Sequence, residues 1–241
     1  MGIGVPGPVL DSSIVPIVCA NLGGWGERNV SAQLSGLLDG LKVLVGNDAN
    51  VAALGEIWMG AAKGCRSAVM VTLGTGVGGG VIIDEKIIAG KHGLGGEIGH
   101  IHIREGEKET CNCGGHGCLE QVASATGIAR EARRKMAAKP DASVMRAYGD
   151  AITAKNVLDA AKAGDALALE VMDTVCYYLG WALATISMTV DPEIFVIGGG
   201  VSKAGTFLTD WIDRYYRELT PISENKGEVR LATLGNDAGI Y

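Results

Sequence analysis

The sequence predicts an α/β fold, on three observations. A short apolar run at residues 42–46 ends in Asn47 and Asp48 and passes directly into helical spacing over 51–58, the strand-to-helix step of α/β proteins. A glycine-rich stretch at 74–80 joins apolar runs at 67–73 and 81–83, which reads as a hairpin. Beyond Glu120 the pattern is mostly helical, interrupted by the apolar run 194–197, which reads as a buried strand.

Taken in order, residues 2–9 predict a strand broken by the turn Pro6-Gly7-Pro8. Residues 21–26 predict a loop, and Leu34, Leu37 and Leu38 mark a helix that stops at Gly40. The strand at 42–46 should be buried, and the helix after it should run to Gly60. Asn47 and Asp48 then sit at a strand end, a position that faces a cleft in α/β folds. Gly74, Gly76 and Gly79 match the dinucleotide spacing G-x-G-x-x-G, but that fingerprint needs a helix at the glycines. Here residues 81–89 read as strand, turn, strand, so the match is rejected; no G-x-x-x-x-G-K-[ST] occurs either. A Gly-Thr-Gly hairpin tip presents several N–H groups and a hydroxyl to one point, which suits phosphate oxygens. Thr75 alone could be only a turn residue; the hairpin favours phosphate contact. Helices follow at 128–138, at 154–163 behind a Thr153 cap, from about Asp165 to Val190, and at 207–219, with a last strand at 229–233.

With 241 residues and 47% hydrophobic content, the chain can bury a substantial core. A net charge of −6 leaves no broad basic face, so nucleic acid is not an expected partner. The first residues lack the basic and apolar regions of a secretory leader, so the expected location is cytoplasmic. The uncharged run 174–190 falls short of the roughly 20 residues of a membrane span and predicts a buried core helix, with no membrane partner. Cys19, Cys65 and Cys176 are expected to be reduced and partly buried.

Chemistry concentrates at residues 95–120, which hold three of the six cysteines and, with His92 beside them, all four histidines. Cys111, Cys113 and Cys118 with one histidine form the donor set of a tetrahedral structural zinc site. The fourth ligand is His116, which demands a very tight loop, or His100, which lets the metal tie a strand to the loop. Asp48 has the character of a general base, or of a helix N-cap. Glu97 and Glu120 are surface acids if isolated. If the metal folds the stretch into one unit, both can point into a single polar pocket suited to sugar hydroxyls.

Together these residues carry a resemblance. The run Gly96-Glu97-Ile98-Gly99-His100 followed by Cys111-x-Cys113-Gly114-x-x-Gly117-Cys118-x-Glu120 resembles the ROK family of bacterial sugar kinases and sugar-sensing repressors, most of all its glucokinases. Val5-Pro6-Gly7, Asn21-Leu22, Asn47-Asp48-Ala49-Asn50, the residues 73–78 and the residues 197–201 support it. The resemblance implies an actin-like, ribonuclease-H-like fold of two lobes, residues 1–47 being the remainder of the small lobe and 48–241 the large one. It implies ATP-dependent phosphorylation of glucose at the 6-hydroxyl, with Asp48 as base. Gly7, Asn21, Asn47, Glu97, His100 and Glu120 would bind sugar; Gly74, Thr75, Gly76, Gly199 and Gly200 would bind ATP. Zn²⁺ would be held by His100, Cys111, Cys113 and Cys118, Mg²⁺ would come with ATP, and the assembly would be a homodimer or homotetramer. The alternatives it leaves are a sugar-sensing repressor, or a kinase for fructose, mannose or N-acetylmannosamine. The family's Asp-x-Gly-Gly-Thr phosphate hairpin and final helix are expected outside residues 1–241, and the 1–241 polypeptide is then expected to be inactive with ATP.

Overall fold

The computed structural model describes residues 1–15 and 27–241; Asn21, Cys19 and the loop expected at 21–26 lie outside them. Near the N-terminus, strand β1 (Gly2–Val5) pairs in parallel with β4 (Leu44–Asn47), and the short strands β2 (Ile14–Val15) and β3 (Arg28–Asn29) pair antiparallel. Helix α1 (Val30–Leu37) starts at an Asn29 cap and closes a small core of Val5, Val30, Val43 and Val45. The strand expected at 42–46 begins two residues later, and Leu44 is exposed. Among the described residues β1 is its one strand partner, and on its other edge the Val45 N–H donates to the Ser12 carbonyl at 2.8 Å.

Among the described residues the main sheet has five strands, in the order β7 (Lys86–Ile87), β6 (Val77–Ile83), β5 (Ala68–Leu73), β8 (Ile194–Gly198) and β9 (Glu228–Leu231). β5, β8 and β9 run parallel, while β5–β6–β7 form an antiparallel meander. The two-residue alternation of a strand divides β5 between two cores. Ala68 and Met70 join α2 (Asp48–Met59) on one face, with Ala53, Ile82 and Val196. Val69, Val71 and Leu73 join the large core on the other, built by α3 (Glu120–Ala123), α4 (Ala125–Ala138), α5 (Ala154–Lys162), α6 (Ala166–Val190) and α7 (Thr206–Leu219).

Gly78, Gly79 and Gly80 belong to β6 rather than to the loop that the sequence suggests. They stand where two other elements approach the strand. A Cβ on Gly80 would meet Ala53 Cβ at 2.7 Å, and one on Gly79 would meet the Ile98 side chain at 2.4 Å. Bare backbone here lets α2 close on one face and the Ile98 turn on the other. Helix α6 has 25 residues, longer than the uncharged run because it begins at Ala166 and takes in Glu170 and Asp173 before that run starts, and by length and composition it matches a membrane span. In this fold its inner face is core: Val171, Cys176, Leu179 and Leu183 are buried, and Gly180 lets the backbone of α7 approach at Tyr215 and Tyr216.

Candidate functional site

The N-terminus of α2 opens the site. Asn47 is the N-cap: its Oδ1 accepts the Asn50 N–H at 3.0 Å, while its Nδ2 donates to the Gly7 carbonyl at 3.1 Å. Asp48 is therefore not needed as the cap. Its Oδ1 accepts the N–H of Ala49 at 2.8 Å, and the residue is exposed. The protein mass around the carboxyl displaces water and pushes its pKa up, partly offset by the backbone N–H groups of Ala49 and Asp48. The result is a more basic carboxylate that remains reachable.

Glu97 precedes the short 3₁₀ turn Ile98–His100. Burial pushes its carboxyl up; His100 pulls it down, and the charges of Asp48 and Glu120 push it up again. Three carboxylates thus share one neighbourhood. Glu97 Oε2 lies 3.9 Å from His100 Nε2. Glu120, the first residue of α3, accepts the Val77 N–H on Oε2 at 2.9 Å, and its Oε1 lies 3.9 Å from Cys111 Sγ.

The histidine's other nitrogen faces the thiols. His100 Nδ1 lies 3.7 Å from Cys111 Sγ, Cys113 Sγ lies 3.6 Å from Cys118 Sγ, and one donor atom from each of these four residues fits within 4.8 Å of the others. Burial and then hydrogen bonding among the thiols push Cys118 up to about 12. A bound cation reverses that penalty, so the cluster can hold a metal ion. His116 is turned elsewhere: its Nδ1 contacts the Glu109 carbonyl at 2.9 Å. The loop closes on itself through Ile103 N–H to Gly117 O at 2.8 Å and Leu119 N–H to Ile101 O at 3.0 Å. Arg104 and Arg134 clamp it to α4 around Glu107 and Glu131, whose side chains are 3% and 8% exposed.

The tip between β5 and β6 adjoins this polar wall. Gly74 N–H donates to Gly76 O at 2.9 Å, closing the turn. The start of α4 seats on it, with Ala125 N–H to Gly74 O at 2.8 Å and Thr126 Oγ1 to Thr75 O at 2.5 Å. Gly74 and Thr75 also line a cavity of about 490 Å³, together with Gly200, Lys155, Lys162 and Lys203 among others. Gly76 and Gly199 do not line it. A Cβ on Gly76 would strike Glu120 Oε2 at 2.2 Å, and Gly199, at φ +84°, lies against the Leu73 backbone. The three lysines escaped the sequence reading, since single exposed lysines on α5 and after β8 carry no motif.

A model of the ROK family matches residues 1–241. A glucokinase from Halalkalibacterium halodurans is 43% identical over 244 residues, covering 100% of this chain and 73% of that protein. The crystal structure of a ROK family glucokinase from Streptomyces griseus in complex with glucose and AMPPNP matches with a TM-score of 0.85 at 35% identity, over 99% of this chain and 78% of that one. A ROK family transcriptional regulator, a homolog of the E. coli MLC protein, also reaches a TM-score of 0.85, at 29% identity over 99% of this chain and 59% of that one. The mixed sheet with helices on both faces is the actin-like α/β fold of these sugar kinases. By its sequence from end to end and by its fold, the chain belongs to the ROK family.

Proposed function

We propose that this protein is an ATP-dependent sugar kinase that phosphorylates glucose at the 6-hydroxyl in the cytoplasm. The observation that carries the reading is the adjacency of Asp48, Glu97, His100 and Glu120, which touches the Gly74–Gly76 turn through Glu120 and Val77. Phosphoryl transfer needs an aligned hydroxyl, a base and a held phosphate chain more than it needs covalent chemistry. Asp48, made more basic by its surroundings, takes the hydroxyl proton. Asn47, Glu97, His100 and Glu120 hold the other hydroxyls, beside the Gly7 carbonyl; Asn21, outside the described residues, is assigned to the same pocket by resemblance. The Gly74–Gly76 turn and the N-terminus of α4 meet the phosphates, a polarity that favours anions. Gly199 and Gly200 would lie under the adenosine, and Mg²⁺ enters with ATP as part of the substrate. Residues 1–47 belong to a small lobe and 48–241 to a large one, whose closure would exclude water.

Thiolates and imidazole are donors that Zn²⁺ favours, and Cys111, Cys113, Cys118 and His100 would hold it. Bound there it supplies rigidity, leaving His100 Nε2 free to face sugar. Glucose is favoured because the relatives at 43% and 35% identity are glucokinases, one of them solved with glucose and AMPPNP. The second reading, a sugar-sensing regulator, is favoured by the equal TM-score of the transcriptional regulator.

An ADP-release assay over glucose, fructose, mannose and N-acetylmannosamine tests both. Glucose should give the highest kcat/KM, and Asp48→Asn should lower kcat about a thousandfold with sugar affinity nearly unchanged. Turnover that survives Asp48→Asn refutes the base; sugar binding without ADP release by the wild type supports the regulator.

A further inference from the structure

Glu56 sits in the last turn of α2, where the helix dipole disfavours an anion, and is 1% exposed. Its carboxylate folds back over the helix end. Oε1 accepts the N–H groups of Leu234 at 2.8 Å and Thr233 at 3.0 Å; Oε2 accepts Ala61 N–H at 2.7 Å and Thr233 Oγ1 at 3.3 Å. All of these partners are neutral donors, and both oxygens are engaged. Gly60 leaves the space this requires, since a Cβ there would meet Glu56 Oε2 at 2.0 Å.

Thr233 and Leu234 follow β9, and Ala232 just before them donates to Ile197 O at 2.9 Å, where β8 runs out toward Gly199 and Gly200. The carboxylate therefore joins the far end of the Asp48 helix to the strand exits beside the nucleotide cavity. Asp48 stands at the other end of the same helix, eight residues and about 12 Å away. We infer that Glu56 is a positioning residue: it fixes the α2 helix against the ends of β8 and β9, and so sets where Asp48 stands relative to the phosphoryl donor. This inference rests on the kinase reading. Alignment of hydroxyl and phosphorus is sensitive to displacements of about 1 Å, so loosening this joint should affect the chemical step more than binding. A glutamine would turn an NH₂ group toward backbone N–H donors and break the joint without changing size.

The test compares wild type, Glu56→Gln and Glu56→Asp in the full-length, zinc-loaded protein, by hexose-dependent ADP release and by backbone amide exchange. Glu56→Gln should lower kcat about thirtyfold while both KM values stay within about twofold, with Glu56→Asp between the two. Amide protection should fall at Ala61, Thr233 and Leu234 and also at Ala49 and Asn50 beside the base. A kcat within about twofold of wild type, or a raised KM at unchanged kcat, overturns the proposal. If Glu56→Gln does not fold, Glu56→Asp is judged by the same criteria. If the wild type releases no ADP with any hexose, the kinase reading fails. Exchange then decides alone: loss confined to residues 61, 233 and 234 overturns the link to Asp48, and loss that extends to residues 49 and 50 upholds it.

Discussion

Glu120 accepts the backbone N–H of Val77 at 2.9 Å, so the carboxylate that begins α3 rests on the strand leaving the Gly-Thr-Gly turn. Its other oxygen faces Cys111. One side chain thus touches both the thiol cluster and the strand leaving the Gly74–Gly76 turn, and on the proposed reading it meets the sugar as well.

Gly76 provides the room for that contact. In Gly76→Ala the new Cβ would lie 2.2 Å from Glu120 Oε2, the movable end of a flexible side chain, so the fold should tolerate it and the carboxylate should swing away. Loss of one charge-assisted hydrogen bond predicts a sugar Kd raised about tenfold with Tm little changed, measured by calorimetric titration and a thermal melt. An unchanged Kd would show that Glu120 does not depend on this seat.

Asp48 and Glu97 both hold their protons more tightly than ordinary carboxyls, chiefly through burial. Because the base must be ionised, kcat/KM should fall on the acid side at a pH above the usual aspartate value of about 3.9. For stability the sign is opposite. A carboxyl with a raised folded pKa favours the fold while protonated and costs stability as pH rises through that value. Asp48→Asn should therefore raise Tm near neutrality, and its advantage should shrink as pH falls toward the ordinary carboxyl range. Glu107 behaves the other way. Hydrogen bonds from Arg134 hold it at about 2, so the stability it gives is present above the usual glutamate value and is lost as pH falls toward 2. Melts of the wild type and Asp48→Asn across this range separate the two effects.

Removing the metal should weaken sugar before nucleotide. His100, Cys111 and Glu120 lie within one small cluster, whereas none of them lines the cavity that holds Lys155 and Lys162. Chelation of the zinc-loaded protein should raise the sugar Kd at least about tenfold and leave ATP affinity within about twofold. Equal losses on both sides would contradict the division.

Much of this architecture can be read from the sequence because its causes are local. The hairpin follows from a glycine tip between apolar runs, α5 from the Thr153 cap, and the approach of His100 to Cys111 from a compact loop. What the sequence conceals has distant causes. Gly78 to Gly80 look like loop residues because the elements that need their bareness, α2 and the Ile98 turn, come from elsewhere in the chain. Glu56 carries no signal in the sequence because its partners Thr233 and Leu234 lie far along the chain. Gly76 and Gly199, which the proposed reading sets against phosphate and adenosine, also make room for Glu120 and pack on Leu73, contacts made by residues distant in sequence. The lysines of the cavity are ordinary residues until the cavity exists.

The self-closed loop between Ile101 and Leu119 also bears on the order of assembly. Its contacts span few residues, whereas β5 must wait for β8, joining Ala68 to Ile194. Local contacts form before distant ones, since a short loop costs less entropy to close. During synthesis the thiol loop can fold and capture its ion while β8 and β9 are still unmade. On the proposed reading, the polar wall for the sugar is then the template on which the nucleotide half is later completed.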